Sequence, residues 1–239
     1  MKLTVVVTSY NEVKTILQAV EDAKLIDVED KEIIAIDNCS TDGTRELLEK
    51  TNDPSINLIL QEKKYYMGKS VEIGLNIAKG KYTYIHHADL EYDYRYVPKM
   101  LEVAEKNDLD LVLGSRIKNF DGSLWELIRK RPEYMATLIT TKLVNFWYGK
   151  DFTDIIGSRV YRTSSIKKVP IGTYGPGFDF ESVSRICKRG LKIKEVAIGY
   201  TPRANKRDKK AKPYHMINAL VSMFKVRFFE SQMNKRVRA

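Results

Sequence analysis

Apolar and polar positions alternate between two periods along the first half of this chain. Leu3 to Thr8 is a continuous β-branched apolar run that predicts a buried strand; the polar group Ser9 to Glu12 leaves it and opens a helix through about Ala23. Glu32 to Ile36 predicts a second strand, closed by the polar turn Asp37 to Thr44, and a helix follows over Thr44 to Lys50 with Thr41 and Asp42 as capping candidates. Asn57 to Gln61 predicts a third strand, Met67 to Ala78 a helix entered at Gly68 and closed by Gly80, and Tyr82 to Ile85 a fourth strand. Val97 to Lys106 predicts a helix and Leu109 to Leu113 a strand ending in Gly114 to Arg116. Strands alternating with helices at this spacing make βαβ units and an α/β fold on a mixed, mainly parallel sheet.

After Arg116 the pattern changes. Ile117 to Ser123 reads as a polar loop, Leu124 to Tyr148 as helix broken near Pro132, and Phe152 to Arg162 as a turn leading into a strand. Gly172 to Glu181 is a glycine-rich approach to a helix that ends at Arg189 and Gly190, and Lys192 to Pro202 predicts a strand. The basic stretch Arg203 to Pro213 is too polar to pack, and His215 to Phe229 predicts a final amphipathic helix on Ile217, Leu220, Val221, Phe224 and Phe228. The expected division is one domain over 1–203, with a nucleotide-binding half at 1–116 and an acceptor half at 117–203, and a basic and helical extension over 204–239.

Composition narrows the class. The chain has 239 residues, 43% hydrophobic and 30% charged, a globular balance that builds a core. Its apolar runs fall short of the ~20 residues a membrane span needs, and the N-terminus reads as a first strand rather than a signal peptide. The two cysteines, Cys39 and Cys187, lie far apart without zinc spacing, as expected of free thiols in the cytosol. A formal net charge of +10 points to anionic partners. The charge gathers at Arg129 to Arg131, Lys206 to Lys212 and Lys225 to Arg238.

The polar groups at Ser9, Asp37, His86 and Gly114 all follow predicted strands, and ligands in such sheets gather outside the strand C-termini. In the stretch Tyr84 to Asp93, an extended chain would point His87, Asp89 and Glu91 to one side. Three such groups hold a divalent cation that bridges a diphosphate; an acidic turn whose histidines satisfy local backbone groups is equally open on these residues alone.

Taken together, the motifs resemble the inverting glycosyltransferases of family 2, with the GT-A nucleotide-sugar-binding fold. Val5 to Glu12 is similar to the family's opening strand and turn, and Ile36 to Thr44 to its acidic nucleotide segment. Gly68, Gly74, Ala78 and Gly80 match its glycine-spaced helix. The stretch His87 to Glu91 stands where the family has its D-x-D metal motif, with His87 replacing the first aspartate. The later motifs are most similar to the dolichyl-phosphate hexose synthase branch. The resemblance covers about residues 3–225. It implies a metal-dependent hexosyl transfer from a nucleoside-diphosphate sugar, of GDP-mannose or UDP-glucose type, to a polyprenyl phosphate at the cytoplasmic membrane face. A glycan or lipid hydroxyl is the alternative acceptor, and a weakly active nucleotide-binding relative the alternative class. Ser9, Tyr10, Glu12, Asp37, Lys69, Ala88 and Asp89 would hold the nucleotide. His87, Asp89 and Glu91 would hold Mg²⁺ or, more readily with an imidazole in the set, Mn²⁺. Arg116, Arg129 and Arg203 would face phosphates, and Asp179 would be the general base for a hydroxyl acceptor. Asp154 occupies the family's D-x-x-S-G segment, with a structural cap before Arg159 as the alternative reading. Peripheral membrane contact and a homodimer are left open, and nucleic acid is not an expected partner because charge alone argues for it.

Overall fold

A computed structural model describes residues 1–132, 134–171, 175, 177–202 and 214–230. Seven strands form one sheet: β1 (Leu3–Ser9), β2 (Lys31–Asp37), β3 (Ile56–Leu60), β4 (Tyr82–His87), β5 (Leu111–Ser115), β6 (Ser158–Arg162) and β7 (Ile193–Ala197). Their spatial order is β3-β2-β1-β4-β6-β5-β7. β1 pairs in parallel with β2 and β4, β2 with β3, and β5 with β7, whereas β6 runs antiparallel to both β4 and β5. The reversal brings the N-terminal end of β6 to the rim where the other strands present their C-termini. It also interleaves the two expected halves of the chain in one sheet.

The helices are α1 (Ile16–Leu25), α2 (Thr44–Thr51), α3 (Met67–Ile77), α4 (Val97–Lys106), α5 (Leu124–Lys130), α6 (Tyr134–Tyr148), α7 (Thr163–Ile166), α8 (Phe178–Lys188) and α9 (Tyr214–Phe229). Alternation along the strands divides the core in two. Val5, Val7, Tyr82 and Tyr84 face α1 and α4, which return Ile16, Ala19, Val20 and Ala23, and Val97, Met100, Leu101 and Ala104, at helical spacing. Val6, Ile34, Ile36 and Ile85 face the other layer, with Val71 and Leu75 of α3, Val144 of α6 and Val183 of α8. Gly74 sets how close α3 lies, because a Cβ there would come within 2.5 Å of Val6.

The mainly parallel sheet flanked by helices is the architecture the periodicity predicts. The first helix starts at Ile16 rather than at Glu12, because Ser9 to Glu12 is drawn into a turn with the loop after β2. β4 runs on through His87, so both histidines belong to the strand. The break near Pro132 separates α5 from α6, and Ser123 caps α5 by accepting the Glu126 amide at 3.1 Å. On α9 the buried side is Ala219, Met223 and Val226, while Ile217, Val221, Phe224 and Phe228 of the expected apolar face are exposed. Small Ala219 wins the packed side because it admits α9 close to Gly177 at the start of α8. The basic stretch 203–213 lies outside the described residues.

His86 points to the α1 side of β4, only 1% exposed, and Nε2 has no hydrogen-bond partner among the described residues. Burial, reinforced by the nearby His87, pushes its pKa down from 6.5 to about 4. The folded state therefore keeps His86 neutral where the unfolded chain takes up a proton, and stability falls as pH drops from about 6.5 toward 4. The expected loss from this group is about 3 kcal/mol across that window. Urea unfolding at a series of pH values checks it: His86→Phe should flatten the slope, and a variant retaining the full slope would remove His86 as its source.

Candidate active site

Two loops meet beyond β1 and β2. Asn11 and Cys39 take left-handed conformations, at φ 52° and 60°, which turns the loops toward each other. The Asn11 amide donates to Ser40 Oγ at 2.9 Å, the Thr41 amide to Asn11 Oδ1 at 2.9 Å, and the Glu12 amide to Thr44 Oγ1 at 2.8 Å. Asp42 accepts the Thr44 amide at 3.1 Å with one oxygen and the Val13 amide at 3.1 Å with the other; it pins the turn before α2, whose N-cap position is Gly43 rather than the expected Thr41 or Asp42. Tyr10 accepts from Lys64 Nζ at 2.6 Å, and that ammonium also lies 4.2 Å from its ring centroid. Ser9 is buried and donates to the Ile36 carbonyl at 3.3 Å, so it ties the strand ends together.

Asp37 closes β2 with no exposed surface. Its Oδ2 accepts from the Ser40 amide at 3.0 Å and from Arg45 Nε at 3.1 Å, while Oδ1 has no hydrogen-bond partner among the described residues. A buried carboxylate oxygen left unmatched is costly, and such a group in a structure calls for a donor. Lys69, in the first turn of α3, pairs with Glu72 at 2.5 Å.

The chain does not leave β4 extended, contrary to the expectation for His87, Asp89 and Glu91. It turns at Ala88, Leu90 takes a positive φ of 58°, and the Glu91 amide donates to Asp89 Oδ1 at 3.3 Å. His87 Nδ1 shares a hydrogen bond of 3.0 Å with Thr8 Oγ1, and Glu91 accepts from the Tyr200 hydroxyl at 2.9 Å. No three acidic, His or Cys side chains converge as a metal cage among the described residues. Asp89 and His87 stand at this turn, Asp89 accepting the Glu91 amide and His87 held through Nδ1. That donor set fits a cation that takes its remaining ligands from water and a diphosphate. Asp93 instead accepts from the Arg95 amide at 2.9 Å and caps the next turn.

Arg116, expected to face a phosphate, is committed within the fold. It is 10% exposed, and its Nε and Nη2 meet Asp154 Oδ2 and Oδ1 at 2.7 and 3.0 Å. The Tyr134 and Tyr200 rings flank the guanidinium, at 5.0 and 5.2 Å. Burial works against both charges, yet each is held by the other: Arg116 stays well above its usual pKa and Asp154 below its own. Asp154 also caps the turn before β6 by accepting the Ile156 amide at 2.9 Å, the structural one of its two readings. Arg129 is exposed on α5, and Arg203 lies outside the described residues.

A small cleft is lined by Ile85, His87, Ser158, Arg159, Phe178 and Asp179, among others. Asp179, on the first turn of α8, is paired with the buried Arg159 guanidinium, whose Nη2 also donates to the Ile155 carbonyl at 2.8 Å. Gly157 permits this convergence, since a Cβ there would sit 1.7 Å from the Gly114 carbonyl oxygen. Arg159 and Arg45 were given no role from sequence. Arg159 is legible only once β6 is known to be reversed, because Arg159 and Tyr161 then share the face of Ile85 and His87.

The mainly parallel sheet with β6 reversed, flanked by helices, is the GT-A fold. The profile of glycosyl transferase family 2 matches residues 4–170, and the chain belongs to that family. It is 27% identical over 207 residues to the low-salt glycan biosynthesis hexosyltransferase Agl6 of Haloferax volcanii, covering 84% of this chain and 48% of that protein. It is 30% identical over 226 residues to the dolichyl-phosphate beta-glucosyltransferase of Dictyostelium discoideum, covering 83% of this chain and 66% of that protein. The chain thus spans about half to two thirds of these relatives' length. Among solved structures, glucosyl-3-phosphoglycerate synthase from Mycobacterium tuberculosis, in complex with Mn²⁺, UDP and glucosyl-3-phosphoglycerate, superposes with a TM-score of 0.69 at 17% identity, over 95% of this chain and 80% of that one. Residues 1–349 of S. aureus TarS in complex with UDP-GlcNAc give a TM-score of 0.65 at 17% identity, over 95% and 66%.

The committed state of Arg116 makes a stability prediction. Arg116→Ala leaves Asp154 buried without its counter-charge and should cost about 3–5 kcal/mol in urea unfolding. A variant of unchanged stability that lost only activity would instead return Arg116 to substrate contact.

Proposed function

We propose that this chain transfers a hexose from a nucleoside-diphosphate sugar to a polyprenyl or dolichyl phosphate, inverting the anomeric centre. The observation that carries the donor half is the buried Asp37 carboxylate at the end of β2, whose Oδ1 has no partner among the described residues. A heterocyclic base with N–H donors satisfies it, and Tyr10 and Glu12 flank that position on the adjoining strand end. The acceptor half draws support from the dolichyl-phosphate relative.

In the reaction an oxygen of the acceptor phosphate forms a bond to the anomeric carbon from the face opposite the diphosphate. The bond from that carbon to the diphosphate oxygen breaks, and its electron pair leaves with the nucleoside diphosphate. A divalent cation, Mg²⁺ or Mn²⁺, supplies neutralising charge for the leaving group when bound, with Asp89 and His87 as its protein donors. Lys69 stands at the N-terminal turn of α3 as a further charge for the diphosphate. A phosphate acceptor arrives already ionised, so Asp179 removes no proton and serves, with Arg159, to shape the acceptor cleft. A hydroxyl acceptor is the second reading, favoured by Asp179 lining the cleft beside His87. There Asp179 takes the hydroxyl proton as the new bond forms. In this reading the donor is held within 1–116, while the acceptor cleft adds Ile85 and His87 of that half to Arg159 and Asp179 of 117–203, and 204–239 is an extension.

Two measurements test the reading. Asp37→Asn should weaken calorimetrically measured nucleotide binding by roughly 10- to 100-fold, the loss of a charged hydrogen-bond acceptor, with unchanged circular dichroism. Undiminished binding would move the base elsewhere. Asp179→Asn should lower single-turnover transfer to polyprenyl phosphate only a few-fold; a fall of roughly 10²–10⁴ would turn the assignment to a hydroxyl acceptor.

A further inference from the structure

One surface of the molecule is built unlike the rest. α6 exposes Met135, Ile139 and Phe146, the last 84% exposed, at spacings that set them along one face. On α9, Val221, Phe224 and Phe228 are each about half exposed, opposite the side packed through Ala219, Met223 and Val226. The two faces are continuous: Trp147 of α6 meets Phe228 edge-on, ring centroids 6.0 Å apart, and Phe224 lies 4.4 Å from Phe228. Scattered apolar residues on a surface are ordinary, but an exposed patch of aromatic and aliphatic side chains running across two helices marks a docking site.

The charges say what docks. Neither α6 nor α9 contains an Asp or Glu. Lys142 falls between Ile139 and Phe146 on the exposed face of α6, and Lys225 beside Phe224 on α9. Neither lysine has an ion pair among the described residues. A protein partner with an apolar surface has no need of a rule against carboxylates. An anionic lipid surface does, since lysines among exposed aromatics extend their ammonium groups to headgroup phosphates while the rings enter the acyl boundary. No helix among the described residues is long and apolar enough to cross a bilayer, so this face lies on the surface rather than spanning it.

We infer that the joint α6–α9 face docks the protein on an anionic bilayer. The position is apt: α9 abuts Gly177 at the start of α8, two residues before Asp179 of the cleft. The inference deepens the polyprenyl-phosphate reading but is carried by the patch itself, and its test involves neither donor nor acceptor.

The experiment is flotation of the full chain with vesicles of phosphatidylcholine alone and of phosphatidylcholine mixed with phosphatidylglycerol. Binding is expected only to the mixed vesicles, and to weaken with salt. Phe146→Ser combined with Phe228→Ser should lower the partition coefficient at least ~10-fold, and Lys142→Gln and Lys225→Gln roughly fivefold each. These exposed sites are outside the catalytic cleft, so circular dichroism and nucleotide binding should stay as in the parent, which separates lost docking from lost folding. Absence of flotation with either vesicle overturns the inference while leaving the transferase reading intact. Flotation unchanged by the aromatic and lysine variants also overturns it, placing the lipid contact elsewhere. A concentration-dependent dimer dissolved by Phe146→Ser would assign the face to a second copy instead.

Discussion

The Arg116–Asp154 pair is the constraint on which the rim depends. β6 enters the sheet against the direction of its neighbours, so the segment before it must turn at the rim with its backbone amides satisfied. Asp154 takes the Ile156 and Arg116 amides, and Glu195 of β7 takes the Thr153 amide at 3.0 Å and the Asp154 amide at 2.8 Å. Lys118 lies 3.6 Å from Glu195, and Arg116 at the end of β5 gives the buried Asp154 a bidentate counter-charge. The pair therefore fixes three strand ends, β5, β6 and β7, relative to one another. It is from this fixed base that Ser158 and Arg159 reach the cleft.

Seen this way, the acidic residues of the rim divide by what their fold partners leave them. Asp154 is fully spent on the turn and on Arg116. Glu91 is engaged by Tyr200, whose backbone also bridges Tyr92. This draws the segment after β7 against the loop after β4. Among the described acidic residues of the rim, Asp37 combines complete burial with an oxygen that has no donor there, and a buried acceptor in that state is one whose satisfaction a ligand can supply. The same residue types thus do structural and binding work a few strands apart, and composition cannot separate them.

Much of this architecture is legible in the chain because parallel strands buried on both faces leave continuous apolar runs, and each run here ends in polar residues. The order of those runs gives the α/β class and the parallel pairing of the first strands, with Gly74 needed where α3 meets Val6. The site was less legible. The alternation rule that aligned His87, Asp89 and Glu91 holds only while the backbone stays extended, and nothing local announces that Leu90 will take a positive φ. Arg116 is similar: a guanidinium at a strand end reads as a phosphate contact until Asp154, distant in sequence, is known to lie beneath it. Arg159 fails in the opposite direction, since its place in the cleft follows from the reversal of β6, a property of tertiary pairing.

The C-terminal helix carries the same lesson into the surface. Helical spacing finds an apolar face on α9 but does not say whether that face is the one that packs. The structure assigns packing to Ala219, Met223 and Val226 because α8 approaches closely at Gly177, where Phe224 or Phe228 would not fit. The larger aromatics are thereby turned outward, next to Trp147 of α6. A helix apolar on both sides is expected where each side meets a different low-polarity environment. The close contact with α8 requires the small side, and the outward side then needs a medium of its own, which is the physical basis for reading the α6–α9 face as a contact surface.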